Sequence, residues 1–176
     1  LYEFDYESLS PFFLFCLYYA FIKNQWFKFF IFSIITILIK ENMPAIIATF
    51  GIYALFDRKK DKILWAVIPI LLGGVSFYAL TSIVIPRFAH SSVHRYIFLF
   101  QQYGSTPLEV VKMILLHPVS VAAVLIKHES LGFLIYLFGP VIFLPFLSPH
   151  ILFLSLPIFV QLLLASSPNY QLIQYQ

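Results

Sequence analysis

A single carboxylate, Glu41, interrupts an otherwise apolar stretch and is the residue whose type best suits chemistry. It lies between the apolar runs 29–39 and 43–56, where an ionised side chain is costly. Such a carboxylate can act as a base, orient an acceptor hydroxyl, or hold a metal ion or cationic partner. It can equally be a turn residue in the lipid headgroup layer, paired with its neighbour Lys40. Spacing alone leaves both interpretations open.

A second acidic group precedes the first apolar run, where Asp5 and Glu7 stand in the sequence Glu-Phe-Asp-Tyr-Glu-Ser. If both regions lie outside the membrane, Asp5 can face Glu41 and form with it an acidic cluster able to bind a divalent cation. The preference of acidic residues for the first turn of a helix explains Glu7 better than Asp5. We therefore predict Glu41 and Asp5 as catalytic residues. The metal stays unknown, with a divalent cation as the cofactor that this cluster would suit.

Basic and aromatic residues follow later in the chain, at His94, Arg95 and Tyr96, with Tyr103 a few residues further on. Arginine and histidine can clamp a phosphate, and tyrosine can stack on the face of a sugar. We predict these four as substrate-binding residues; a loop that faces solvent or lipid headgroups is the alternative. The chain has no metal-ligand spacing, nucleophile elbow, phosphate-binding glycine motif or dinucleotide fingerprint. ATP or NAD chemistry of the soluble type is therefore not expected.

The elements that must position these residues are membrane helices. Of 176 residues, 61% are hydrophobic and 11% are charged, against about 25% charged in soluble domains. That length suffices for about six membrane-crossing helices at roughly 20 residues each. We predict an all-α fold, a polytopic transmembrane helical bundle in which residues 1–176 form a single integral membrane domain. Because the chain opens on Leu1 without a signal peptide, we expect it to be a fragment of a longer protein.

Apolar runs bounded by charges or prolines give the predicted helices, and several are shorter than a bilayer is thick. They are Leu9–Ile22, Phe29–Ile39, Met43–Phe56, Ile63–Ile85, Leu131–Leu147 and Ile151–Ala165. Because short runs draw their polar ends inward, Glu41 is expected below the membrane surface. Prolines interrupt the last two runs, and broken helices of this kind can line a cavity.

Lysine and arginine accumulate in cytoplasmic loops, so their positions predict the orientation in the cell membrane. The turn with Lys23 and Lys28 and the basic cluster 58–62 belong inside. Glu41 then faces outside, as does an extracytoplasmic loop over residues 87–130. In that loop, Thr106-Pro107 predicts a helix start and His117-Pro118 a break, so we expect a helix along the outer interface. The net charge of +3 sets topology and predicts no nucleic-acid partner.

The order of several short motifs resembles a bacterial and archaeal family of predicted polytopic membrane proteins of unknown function. The motifs extend over nearly the whole chain: Phe-Asp-Tyr-Glu at 4–7, Ile-Lys-Glu-Asn at 39–42, Gln-Tyr-Gly-Ser-Thr-Pro at 102–107, His117-Pro118, the prolines 140, 145 and 149, and Tyr170 to Tyr175. That family is distantly similar to the GT-C glycosyltransferases. The resemblance implies a GT-C-like fragment in which a sugar moves from a polyprenyl-phosphate carrier on the outer membrane face.

For individual residues, the resemblance implies outward-facing acidic groups that are catalytic or bind metal, here Asp5 and Glu41. In GT-C enzymes the first acidic loop follows the first transmembrane helix, and the resemblance implies that this chain begins downstream of that loop. The implied partners are membrane lipid and a polyprenyl-phosphate sugar. Two alternatives stay open: a transporter or channel subunit, favoured by proline-broken helices and a carboxylate between spans, and a non-catalytic membrane scaffold whose polar groups are interfacial anchors.

Overall fold

The structure of the chain, a computed structural model, describes residues 6–57, 61–88, 100, 103–104, 106–117, 119, 123, 135 and 147–164. Six helices account for most of the regular structure within these residues. Within these residues every regular element is helical, which confirms the predicted all-α fold there. After a short 3₁₀ turn at Tyr6–Leu9, the helices are α1 (Ser10–Ile22), α2 (Trp26–Ile39), α3 (Met43–Phe56), α4 (Ile63–Phe88), α5 (Pro107–Leu116) and α6 (Pro149–Leu164).

Most predicted helices have observed counterparts, with shifts of a few residues at their ends. Helix α2 begins at Trp26, three residues before the predicted apolar run, and α4 continues to Phe88. The predicted helix Leu131–Leu147 falls outside the described residues, except for Ile135 and Leu147. The chain divides into two compact units, Leu1–Leu80 and Thr81–Gln176, with the boundary inside α4.

The first unit turns sharply between α1 and α2 because Asn24 adopts a left-handed backbone conformation. Its φ is 54°, which asparagine tolerates better than most residues. The amide of Asn24 donates to the carbonyl of Phe21, and the amide of Gln25 donates to that of Ala20. This pair of bonds is the Schellman arrangement, which satisfies the last carbonyls of a helix and reverses the chain. The two helices therefore run antiparallel and pack on each other.

Aromatic rings from all four helices meet at the same end of this unit. Phe21 lies at the centre, and its neighbours come from α2, α3 and α4 with ring centroids 5.2 to 6.0 Å apart. The members are Phe21, Trp26, Phe29, Phe50, Tyr53 and Trp65. Tilted and edge-to-face pairs of this kind contribute about 0.5 to 1.5 kcal/mol each beyond their buried area. The cluster joins the α1–α2 pair to the α3–α4 pair.

Helices α3 and α4 approach each other closely at two glycines. A Cβ on Gly51 would lie 2.6 Å from the carbonyl oxygen of Ala66 and 2.9 Å from the amide of Ile70. A Cβ on Gly73 would lie 2.6 Å from the amide of Ala48 and collide with the carbonyl oxygen of Pro44. Small residues allow such backbone approach in membrane helix pairs. The contacts also fix the register, with the start of α3 beside the middle of α4.

Two π-helical turns interrupt α4, at Ile63–Val67 and at Leu80–Val84. An Ile-Pro pair follows each of them directly, first at Pro69 and then at Pro86. A proline ring offers no amide hydrogen and crowds the carbonyl four residues earlier, and a wider turn relieves that crowding. The repeated Val-Ile-Pro sequence thus explains both departures from α-helical geometry.

The C-terminus of α3 is capped by Lys62 from the start of the next segment. Its Nζ donates to the carbonyl oxygens of Ala54 at 2.7 Å and Leu55 at 3.1 Å, and also to that of Asp57. Carbonyls in the last turn of a helix lack partners within the helix, and the helix dipole favours a cation there. One member of the basic cluster 58–62 therefore stabilises the end of α3.

The outer surfaces of the helices are as apolar as their interior. Large apolar side chains are exposed along α1 to α4, including Phe15, Phe27, Leu38, Phe56 and Val75. The buried hydroxyls of Ser33, Thr36 and Thr49 instead donate to the carbonyls four residues earlier, at 2.7 to 2.8 Å. Apolar exteriors with small polar residues inside are typical of helices that pack in lipid.

The second unit contains α5 and α6. The Thr106 hydroxyl oxygen accepts from the amide of Glu109 at 3.3 Å, Pro107 occupies the first turn, and α5 ends at Leu116 before His117. These bounds confirm the predicted start at Thr106-Pro107 and the predicted break at His117-Pro118. Pro157 lies inside α6, and the Ser155 hydroxyl donates to carbonyls of the preceding turn at 3.0 and 3.1 Å.

The α3–α4 packing predicts a sharp contrast between adjacent glycines. Gly73→Leu should lower the melting temperature of the purified protein in detergent, because overpacking at a backbone contact costs about 1 to 3 kcal/mol or more. Gly74→Leu is the matched control, since no atom lies within 4 Å of a Cβ placed there. An equal loss of stability in both variants would contradict this packing.

Candidate functional site

The turn between α2 and α3 holds the carboxylate that the sequence singled out. Helix α2 ends at Ile39, and Lys40 is extended, with φ −153° and ψ 147°. Glu41 and Asn42 form the turn, and the amide of Met43 donates to the carbonyl of Lys40 at 3.1 Å. Pro44 lies in the first turn of α3, where its missing amide hydrogen costs nothing. Backbone interactions therefore form the turn, and the side chains of Glu41 and Asn42 are not needed to hold it together.

Asn42 occupies the N-cap position of α3 without capping the helix. Asparagine is among the preferred residues there because its side-chain oxygen can accept from a first-turn amide. Here the backbone is helical, with φ −90° and ψ −14°, and no side-chain cap bond forms. The backbone carbonyl of Asn42 accepts from the amide of Ala45 at 3.2 Å instead. Its amide side chain is thus released from the usual structural role.

Two adjacent side-chain oxygens at this turn are buried and accept no hydrogen bond. They are Oε1 of Glu41 and Oδ1 of Asn42. A buried acceptor without a partner costs about 1 to 3 kcal/mol, and more if it belongs to a charged group. Because the Asn42 side chain makes no cap bond with α3, no local hydrogen bond offsets this cost. An arrangement of this kind suits a ligand that brings hydrogen-bond donors or positive charge.

Gln25 carries the third such oxygen within the described residues. It directly precedes α2, whereas Glu41 and Asn42 follow that helix. The 14 residues of α2 separate the two positions by about 21 Å at 1.5 Å per residue. Gln25 therefore lies at the end of the unit that holds the aromatic cluster, and it is not part of the same site.

The register of α3 against α4 fixes the level of the site along the first unit. Gly73 lies between Pro44 and Ala48 and is level with about Ile46 of α3. Asn42, four residues earlier, is therefore level with about Phe77 of the antiparallel α4. Ile63, at the start of α4, is 14 residues before Phe77. At about 1.5 Å per residue, the turn lies about 21 Å from that end of α4. This distance is shorter than the hydrocarbon core of a membrane, which is about 30 Å thick.

The other predicted site residues are mostly beyond what the structure describes. Asp5, His94, Arg95 and Tyr96 fall outside the described residues. Tyr103 is described and belongs to the second unit, in a turn before α5, with its amide donating to the carbonyl of Phe100 at 2.8 Å. The roles of all five, and that of Glu41, stay predictions.

Metal binding was predicted only as a use of the acidic cluster. Within the described residues, no group of three or more His, Cys, Asp or Glu side chains could hold a metal ion. Asp5 lies outside that part of the chain, so the predicted pairing of Asp5 with Glu41 stays a prediction. In the described part, the buried side-chain oxygens at the turn that lack a hydrogen-bond partner belong to Glu41 and Asn42.

Asn42 is the residue that sequence reasoning missed. In the sequence it belongs to the family motif 39–42, and its type alone predicts no functional role. Its asparagine type at a helix start predicts a cap, and only the helical backbone observed at this position releases the side chain. The available signal was the pairing of two polar residues, Glu41 and Asn42, in one short break between apolar runs.

Helix α4 is long and apolar enough to cross a membrane, by length and composition, and it is the one such helix in the described part of the chain. Only 22% of its most apolar stretch is buried within the fold, whereas a core helix of a soluble protein would be mostly buried. Helices α1, α2, α3 and α6 are apolar but shorter. The described helices and this candidate span point to a helical membrane protein.

The comparison with family models agrees with that class and also gives the family. The model of the predicted membrane protein family DUF2079 matches residues 1–176, and the chain belongs to that family. The family's function is unknown, as expected from the motif resemblance, which the match confirms at this level. No curated protein and no solved structure matches the chain.

The uncompensated oxygens predict an unusual effect on stability. Asn42→Leu should leave the melting temperature of the ligand-free protein unchanged or raise it, because removing a buried unpaired acceptor removes a cost of about 1 to 3 kcal/mol. The measurement is thermal unfolding in detergent, with Thr36→Val as the control. Thr36 is buried and donates to the Phe32 carbonyl at 2.7 Å, so its loss should destabilise. A marked loss of stability in the Asn42 variant would show that the side chain has a structural partner.

Proposed function

We propose that this protein is a polytopic membrane bundle that transfers a sugar from a polyprenyl-phosphate carrier, with its site on the outer half of the cell membrane. The observation that carries the proposal is the buried, unpartnered Oε1 of Glu41 at a turn between apolar helices. An intramembrane ionisable residue is usually functional, because burying it without a purpose is costly. The resemblance of the family to GT-C glycosyltransferases supplies the type of reaction.

The apolar exteriors support a bundle that crosses the membrane several times. Helices α1, α2 and α3 have 13 or 14 residues and are about 20 Å long at 1.5 Å per residue. They are shorter than the hydrocarbon core, so the α2–α3 turn would lie roughly 9 Å below the outer boundary if α4 begins at the inner one. This depth gives the site an environment of low polarity, in which a carboxylate interacts strongly with its ligand.

The distribution of lysines supports the orientation. Lys23 and Lys28 flank the α1–α2 turn, and Lys62 caps α3 at the same end of the unit as the aromatic cluster. Positive charge marks the cytoplasmic side, so the Glu41 turn belongs to the outer half. Residues 87–130 then form an extracytoplasmic loop. Exposed Leu108 and Leu116 on α5 support its placement along the lipid interface.

The proposed reaction is a displacement at the anomeric carbon of the carrier-linked sugar. Glu41 takes the proton of the acceptor hydroxyl as its oxygen forms the new bond to that carbon. The bond from the anomeric carbon to the carrier phosphate breaks, and the phosphate leaves with the electron pair. Arg95 and His94 would hold the phosphate, Tyr96 and Tyr103 the sugar, and Asp5 would assist Glu41.

The transfer hypothesis predicts that one carboxylate is indispensable. Glu41→Gln in the full-length protein should lower sugar transfer from polyprenyl-phosphate sugar about a hundredfold or more, the usual contribution of a general base. The assay follows radiolabelled sugar in membrane vesicles. Asp61→Asn, an exposed carboxylate at the other end of the first unit, is the matched control and should retain activity.

Full activity of the Glu41 variant would rule out this assignment. Ion or solute flux in proteoliposomes that depends on Glu41 would favour a transporter or channel instead. Tolerance of alanine at Asp5, Glu41 and Arg95 together, with partner binding retained, would favour a scaffold.

The orientation predicts opposite accessibility for the α1–α2 turn and helix α5. With Cys16 replaced by alanine, a cysteine at the exposed position Lys112, in the predicted outer loop, should react from outside intact cells with a membrane-impermeant maleimide. A cysteine at the exposed Asn24 should react only after permeabilisation, and Asn24 lies at the opposite end of α2 from Glu41. Labelling of Asn24 from outside would reverse the topology and exclude an outward-facing site.

A further inference from the structure

The turn offers two acceptor oxygens side by side, and their chemistry limits what can bind. Oε1 of Glu41 and Oδ1 of Asn42 are buried, adjacent in sequence and without hydrogen-bond partners. Both oxygens can only accept hydrogen bonds when the carboxylate is ionised. The natural complement is a group that presents two donors a short distance apart.

We propose that the Glu41–Asn42 pair binds two neighbouring hydroxyl groups of the sugar acceptor, with Asn42 as a positioning residue. This inference rests on the transferase function proposed above and names the part of the reaction that the turn serves. Asn42 accepts from one hydroxyl and holds the ring in place. Glu41 accepts from the second hydroxyl and takes its proton when that oxygen attacks the anomeric carbon.

Other ligand classes fit the pair less well. A phosphate brings further negative charge and acceptor oxygens to a carboxylate, so the carrier phosphate must bind elsewhere. Calcium takes six to eight oxygen ligands, and magnesium needs near-octahedral coordination. The described residues hold no cluster of acidic and histidine side chains that could complete such a shell. Two hydroxyl groups satisfy both oxygens without any further ligand.

The absence of a cap at Asn42 supports a binding role independently of burial. An asparagine that capped α3 would stabilise the helix by about 0.5 to 2 kcal/mol relative to alanine. The observed backbone forgoes that bond and leaves the oxygen unpaired. A residue kept in a costly conformation is explained if a ligand supplies the missing donor. Ligand binding would then explain the conformation of Asn42, which local stability does not explain.

The exposed surface next to the turn favours delivery of the acceptor from the lipid phase. Leu38, in the last turn of α2, is 77% exposed, and Tyr78, about level with the turn, is 50% exposed. A glycolipid can place its tail against such apolar surface and its hydroxyls at the turn. A soluble sugar presents the same hydroxyls without a tail, so the two sources are compared directly.

The test measures protection of Glu41 from the apolar reagent dicyclohexylcarbodiimide. Full-length protein in phosphatidylcholine vesicles is labelled alone or with monoglucosyl diacylglycerol, maltose, inorganic phosphate or Mg²⁺, and modification of Glu41 is quantified by peptide mass spectrometry. We expect the glycolipid to slow labelling about tenfold at saturation, and phosphate and Mg²⁺ to have no effect. Protection by maltose alone would assign a soluble acceptor of the same chemistry.

Variants separate the role of Asn42 from a general effect on folding. Asn42→Leu should weaken glycolipid protection about tenfold, the value of one hydrogen bond of about 1.4 kcal/mol. Asn42→Asp keeps an acceptor oxygen and should retain protection. Gln25→Leu removes the equivalent buried oxygen at the other end of α2 and should also retain it. Melting temperatures show that each variant is folded.

Several results would overturn the inference: no labelling of Glu41 in the absence of ligand, no protection by either sugar, protection by Mg²⁺ alone, or full protection in Asn42→Leu. Transfer activity distinguishes this inference from the proposed function. Intact transfer without protection contradicts the acceptor site alone. Intact protection in a protein without transfer activity contradicts the transferase assignment and leaves a hydroxyl-binding site.

Discussion

The close contact between α3 and α4 is the constraint on which the rest of the first unit depends. Gly51 and Gly73 let the two backbones touch, and the missing side chains set one register between them. A shift by one helical turn would bring a Cβ into a carbonyl oxygen at each crossing. The register in turn places the Glu41 turn beside the middle of α4 and not at its end. The level of the turn along α4 thus follows from packing between two helices.

The two ends of this unit use their polar groups in opposite ways. At one end Lys62 meets the free carbonyls of α3, the Asn24 turn satisfies the last carbonyls of α1, and aromatic rings fill the space between helices. These interactions are stabilising, and one buried oxygen at this end, Oε1 of Gln25, lacks a partner. At the other end two adjacent oxygens, of Glu41 and Asn42, lack partners. Stabilising polar contacts are concentrated at one end and the paired unsatisfied oxygens at the other, as expected where stability is given up for function.

The match to a family of predicted membrane proteins gives this division a setting, since water cannot satisfy a buried acceptor within lipid. In that environment a buried oxygen can accept a hydrogen bond only from the protein or from a ligand, and without either it lowers the stability of the fold. In the proposed topology, the short helices α1 to α3 and the longer α4 place the turn below the level at which headgroups would solvate it. The chemistry proposed for the turn therefore depends on helix length as much as on residue type.

By itself the sequence determined the helical class, most helix positions, the break at His117 and the family, because hydrophobic runs, prolines and capping residues act locally. It also identified Glu41 from the cost of a charge between apolar runs. Only the tertiary structure decided that one oxygen of Glu41 is buried without a partner, that Asn42 does not cap α3, and that the turn lies beside Phe77. Those properties depend on the crossing of α3 and α4 and on the backbone angles of one turn. Neither is encoded in the periodicity of a single helix.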